Sequence, residues 1–275
     1  MTLFGIEPLL ILELAVLGVG AGFLAGLLGI GGGMVMVPFL TRILTHRGVS
    51  SDLAVKMAIA TAMATILFTS LSTMRAHQRR GAIRWEIVHG LAPGIVIGGL
   101  AAGAGVFAFV KGQALALFFA AFVGYSAIQM LRATTPKPSR QLPGRGGQAA
   151  VGGGIGFLSG LVGAGGAFIA VPFMTRCNVP IHNAVATGAA IGFPIALANT
   201  VGYVIGGWSQ PAPLPGALGF LYLPALGVIA LASVLTAPLG ARVAHALDVR
   251  QLRRIFAMML FVLGADMLWR GLHAG

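Results

Sequence analysis

Residues 22–42 read GFLAGLLGIGGGMVMVPFLTR and residues 156–176 read GFLSGLVGAGGAFIAVPFMTR; the two stretches agree at 13 of 21 positions. A duplication of this kind means that the chain folds as two copies of one unit. Each copy sets a Gly-x-Gly-Gly knot inside an apolar run, Gly29-Ile30-Gly31-Gly32 in the first and Gly163-Ala164-Gly165-Gly166 in the second. Glycine costs a helix about 1 kcal/mol per residue relative to alanine. The knots are therefore expected to break the helices that carry them.

The surroundings of the knots are those of a membrane protein. The chain has 275 residues, 57% of them hydrophobic and 9% charged, with a mean hydropathy of +0.92. Soluble domains carry about 25% charged residues. Leu9 to Leu28, Trp85 to Val110 and Gln113 to Leu131 each reach the ~20 apolar residues that a helix needs to cross the hydrocarbon core. The first of these runs lacks a basic leader, contains Glu7 and Glu13 in and beside it, and has a counterpart in the second half, so it is expected to belong to the fold rather than to a signal peptide. The only cysteine, Cys177, excludes an intrachain disulfide, and no Cys/His cluster suggests a metal or redox centre.

Residues 1–132 form the first repeat, residues 133–148 (ATTPKPSRQLPGRGGQ) a polar Pro/Gly-rich linker, and residues 149–275 the second repeat. Each repeat reads as an arm, the glycine break, a short arm and three spans. The expected fold is all-α and multi-pass, with about eight transmembrane segments and re-entrant or discontinuous first segments.

Charge decides the relative orientation of the repeats. The loop at residues 75–84 carries four Arg, whereas its counterpart at residues 206–216 carries none; Lys111 stands alone in a loop whose counterpart holds Arg242, Arg250, Arg253 and Arg254. Corresponding loops thus lie on opposite sides, and the repeats are inverted. The positive-inside rule puts the linker in the cytoplasm and both termini outside, with 13 of the 18 Lys and Arg on the cytoplasmic side. A net charge of +12 is accounted for in this way, and calls for no nucleic-acid partner.

Candidate chemistry gathers at the knots. Unwound backbone at mid-depth is tolerated only where it lines a cavity or is buried in protein, and the N–H groups that open the following short arm favour an anion. The candidate substrate-binding residues are Gly31, Gly32 and Gly33 with Gly165, Gly166 and Ala167. Gly22, Gly26, Gly156 and Gly160 fit close helix packing instead. Thr61 and Thr187, at matched positions after the short arms, offer hydroxyls to the same anion, although threonine in a helix often bonds its own backbone. Asn199 is an amide in an apolar span and completes the set; Tyr203 fits packing. Arg42 and Arg176 end the two short arms and are candidates for the pore mouths, where snorkelling is the competing account. Glu13 and Asp266 are the acids that could serve proton coupling, with interfacial placement as the alternative. His182 is expected in a loop beside its span.

The doubled Gly-x-Gly-Gly followed by Val-Pro (Val37-Pro38, Val171-Pro172), and then Ala-x-x-Thr (Ala58 to Thr61, Ala184 to Thr187), resembles the TauE/SafE family over essentially the whole chain. The resemblance implies a transporter in the bacterial cytoplasmic membrane that exports a small sulfur-containing or organic anion such as sulfite or sulfoacetate. It implies no enzyme activity, no cofactor and no metal. Uptake or channel-like permeation of thiosulfate or carboxylates, and a non-transporting assembly role, are the alternatives.

Overall fold

The computed structural model describes residues 7–28, 32–132, 140–210, 214–244 and 249–273. The first half comprises α1 (Pro8–Leu28), α2 (Gly33–His46), α3 (Ser51–Gln78), α4 (Trp85–Leu100), α5 (Phe107–Phe109) and α6 (Gly112–Arg132), with the π-helical stretch Ala101–Val106 joining α4 to α5. The second half comprises α7 (Arg145–Val162), α8 (Ala167–Arg176), α9 (Ile181–Gly206), α10 (Leu223–Ala244) and α11 (Val249–His273). Seven of the described helices are long and apolar enough to cross a membrane.

Helix α7 is not among those seven, because it opens on Arg145-Gly-Gly-Gln, inside the stretch expected to be linker. Its partner α8 has ten residues and rises about 15 Å, half the hydrocarbon thickness. The second glycine element is thus a long arm followed by a half-depth arm. A two-stranded hairpin, β1 (Ala217–Leu218) with β2 (Leu221–Tyr222), follows the loop at residues 206–216 and precedes α10; no strand was expected there.

Packing between the halves is reciprocal. Helix α1 lies along α10, and its counterpart α7 lies along α4; α3 packs on α9 and α6 on α11. Exchanging each element for its counterpart leaves this pattern unchanged. Glycine makes the two arm contacts possible: a Cβ on Gly26 would overlap the Ala237 carbonyl, and one on Gly94 would overlap that of Ala149. The packing role expected of Gly22, Gly26, Gly156 and Gly160 agrees with their surroundings, since each faces backbone or side chain of a neighbouring helix.

The Ala-x-x-Thr threonines tie the halves together. The Thr61 hydroxyl accepts the Tyr222 N–H at 3.0 Å, and the Thr187 hydroxyl accepts the Arg84 N–H at 3.0 Å. Each is fully buried and holds the segment that enters the other half's α4 or α10. Thr61→Val is expected to strand the Tyr222 N–H, lowering stability by about 1–3 kcal/mol. A reduced thermal midpoint in detergent checks this, and Thr61→Ser restores it.

Candidate functional site

The two glycine elements meet. A Cβ on Gly33, the first residue of α2, would overlap the carbonyl oxygen of Gly163 and stand 2.9 Å from Ile66 Cδ1. Gly163 in turn lies against Ile59 and Val37 of the first half. Gly32, Gly163 and Gly166 have φ of 68°, 72° and 73°, in the left-handed region that glycine enters without a Cβ penalty. These conformations end α7 and start α2 and α8. Gly29, Ile30 and Gly31 lie outside the described residues.

At the second break a cavity of about 20 Å³ opens between the halves. Gly165 and Ala167 form one wall, Gly188 and Gly192 of α9 another, and Thr69, Ser70 and Thr73 of α3 a third. The three hydroxyls bond back to carbonyls of their own helix, at 3.0–3.3 Å. Space of this size admits about one water, so a multi-atom ligand requires α3 and α8 to move apart. Of the expected site residues, Gly165 and Ala167 line this cavity directly, and Gly33 and Gly166 lie in the adjoining backbone. Thr69 and Ser70 were not singled out in the sequence; the signal for them was the hydroxyl stripe Thr61, Thr65, Thr69, Thr73 at helical spacing.

Thr61 and Thr187 are elsewhere, occupied as described above. Asn199 is fully buried among α4, α7 and α9, where its Nδ2 donates to Gly156 O at 3.2 Å and Ile195 O at 2.9 Å. Its Oδ1 has no partner among the described residues. Nearby, Tyr203 donates to Gly160 O and its ring packs 4.5 Å from that of Phe107, in keeping with a packing aromatic.

Arg42 and Arg176 border two clefts of about 380 and 530 Å³. The walls are built alike. Helix α11 lends Asp266, Trp269, Arg270 and His273 to the first, and α6 lends Phe122, Tyr125, Ser126 and Gln129 to the second, at the same i, i+3, i+4, i+7 spacing. Their charges differ. Asp266 forms an ion pair with Arg42 and accepts from Arg270 Nε at 3.0 Å, so the Arg42 cleft is partly neutralised. The Arg176 cleft holds Arg140 as well, and neither arginine has a carboxylate partner among the described residues. Cys177 also lines that cleft; burial pushes its thiol up, with the Arg140 charge acting in the opposite sense.

One charged side chain went unremarked in the sequence. Lys56 of α3 is 7% exposed, with its Nζ 3.1 Å from Ala108 O, 3.7 Å from Asp52 Oδ2 and 5.6 Å from the centre of the Phe220 ring. Asp52 also accepts the Gly112 N–H. The cluster ties the start of α3 to α5, to the first residue of α6 and to the turn of the β-hairpin. No group of three or more His, Cys, Asp or Glu side chains placed to hold a metal occurs among the described residues.

Comparison with known proteins gives a consistent picture. A protein from Haemophilus influenzae, named a probable membrane transporter protein, is 33% identical over 264 residues, covering 94% of this chain and 97% of the relative. Proteins of the same designation from Methanocaldococcus jannaschii and Bacillus subtilis are each 26% identical, covering 95% of this chain and 97% and 98% of their own lengths. No solved structure matches the chain. The family described as sulfite exporter TauE/SafE matches residues 14–267. With seven helices of spanning length and the resemblance of its motifs now matched over nearly the whole chain, this protein is a multi-pass membrane transporter of the TauE/SafE family.

Proposed function

We propose that the protein exports a small sulfur-containing or organic anion, such as sulfite or sulfoacetate, across the cytoplasmic membrane by alternating access. The observation that carries this reading is the meeting of the two breaks. Gly33 lies against Gly163 beside a small cavity that both halves line, with three hydroxyls in one wall. Helix starts there offer donors to an anion, and the hydroxyls do so once they turn from their own helix carbonyls, where a continuous apolar bundle would offer none. Separation of α3 from α8 widens the cavity, and closure returns it to the size of one water. Each cleft lies toward the C-terminal end of its short arm, and the arginines there raise the local concentration of anions.

The repeats are inverted in this reading, with the linker and the Arg176 cleft on the cytoplasmic side and the Arg42 cleft outside. Unpaired arginines then face the compartment from which the anion is collected, and the Asp266-paired one faces the compartment into which it is released. The membrane potential, negative inside, favours the exit of an anion by about 2.3 kcal/mol per charge per 100 mV. Export needs no further coupling to be favourable.

Flux of labelled sulfite, sulfoacetate, thiosulfate and acetate from proteoliposomes tests the reading; the expected result is potential-driven exit of at least one of the first two. Folded, oriented protein that moves none of them contradicts it. For orientation, Ser139→Cys and Ser209→Cys in a Cys177→Ser background are expected to differ, only the second reacting with an impermeant reagent added outside.

A further inference from the structure

The two breaks are matched in sequence, but their surroundings are not equally polar. In the first, the α1 side chain against Gly32 is Ala25, whose Cβ lies 3.3 Å from where a Cβ on Gly32 would stand, with the Ala21 carbonyl nearer still. At the corresponding place on α7 is Ser159, with its Oγ 3.2 Å from the Cβ position of Gly166. Ser159 is 1% exposed, and its Oγ has no hydrogen-bond partner among the described residues. This is a buried hydroxyl with an uncommitted proton, directed at the first turn of the ten-residue helix α8.

Backbone donors converge on the same place. The N–H groups of Gly163 and Ala164 both bond to Ser159 O, whereas those of Gly165, Gly166, Ala167 and Phe168 have no acceptor among the described residues. Gly165 and Ala167 also line the cavity, together with Thr69, Ser70 and Thr73 of α3 and Ala25 of α1; Ser159 is not in that lining and meets the break at Gly166. The counterparts of Thr69, Ser70 and Thr73 on α9 are Ile195, Ala196 and Asn199, so α3 alone presents this hydroxyl surface to the cavity.

We infer that the second break is the anion subsite, that Ser159 is a ligand of the anion, and that the site selects singly charged oxyanions. This rests on the transport reading above and adds the charge class. The selection follows from the donors, which are all neutral: no ionisable side chain is among the residues lining the cavity. The cost of removing an ion from water rises with the square of its charge, whereas its attraction to fixed dipoles rises only linearly. A second negative charge therefore adds about three times the cost of the first for the same added attraction. Hydrogensulfite and methanesulfonate fit the site; sulfate, the doubly charged sulfite ion and sulfoacetate with both acids ionised do not, which narrows the anions of the transport reading.

The test compares wild type with Ser159→Ala. Ala25 stands natively at the corresponding position, so Ser159→Ala is expected to fold. Methanesulfonate, singly charged at every working pH, is expected to show pH-independent flux, and sulfite flux to follow the hydrogensulfite fraction as pH is varied. Ser159→Ala is expected to raise KM for both by about tenfold, the effect of one hydrogen bond to a charged ligand. Methanesulfonate should also raise the thermal midpoint of detergent-solubilised wild type more than that of Ser159→Ala. That binding readout stands even where flux is absent, which separates failure of this site from failure of the transport reading. Unchanged KM and midpoint response in Ser159→Ala, or sulfite flux that rises with the doubly charged form, would overturn the inference.

Discussion

Gly33→Ala is expected to abolish transport and to leave little folded protein. A single methyl there would overlap the Gly163 carbonyl, and Ile66 Cδ1 closes the remaining space at 2.9 Å. Overpacking in a core commonly costs about 1–3 kcal/mol. Here the obstruction is backbone, which has no rotamer in which to withdraw, so the loss is expected at or beyond the upper end of that range. The corresponding residue of the other half is Ala167, which carries this methyl natively. Ala167→Gly is therefore expected to be tolerated, with a loss near the 1 kcal/mol of helix propensity. Yield of monodisperse protein and thermal midpoint, measured side by side, check both variants.

Gly94→Ala is expected to have an effect of similar size through a different interface. Helix α4 meets α7 so closely that a Cβ on Gly94 would overlap Ala149 O, with Gly153 N at 2.7 Å. Separating the two helices would disturb the contacts of both with α9. Small residues that let backbones approach are how helices pack where lipid removes any hydrophobic drive between them. Gly20→Ala and Gly124→Ala are the controls, because a Cβ at either position meets nothing within 4 Å. Both are expected to retain the wild-type midpoint or to raise it slightly. A Gly94→Ala protein that melts with these controls would show that the α4–α7 contact is not this close in the bilayer.

Much of the architecture was open to reading from the residues, because the controlling signals are local. Apolar run length announced the spans, and the glycine knots announced breaks that in the second half fall at residues 163–166. The long-range consequences were less accessible. Thr61 and Thr187 looked like ligands because matched hydroxyls in an apolar span suggest a site. Their backbone donors, Tyr222 and Arg84, lie 161 and 103 residues away, and no periodicity reports such a pairing. Asp266 illustrates the same limit: nothing near it in sequence links it to Arg42, 224 residues distant. Ser159 was visible only as one mismatch, serine for alanine, within the aligned repeats. It acquires meaning once α7 is folded over Gly166 and its hydroxyl is seen to lack a partner.

The most direct measurement is of anion access to the second break. Ala167 lines the cavity and already carries a Cβ, so Ala167→Cys in a Cys177→Ser background adds only one sulfur there. A negatively charged methanethiosulfonate reagent is expected to modify that thiol in actively transporting proteoliposomes, and methanesulfonate at saturating concentration is expected to slow the modification. A thiol that stays unmodified while flux proceeds, or that reacts at the same rate with and without methanesulfonate, would place the anion's path away from the glycine breaks and contradict the account.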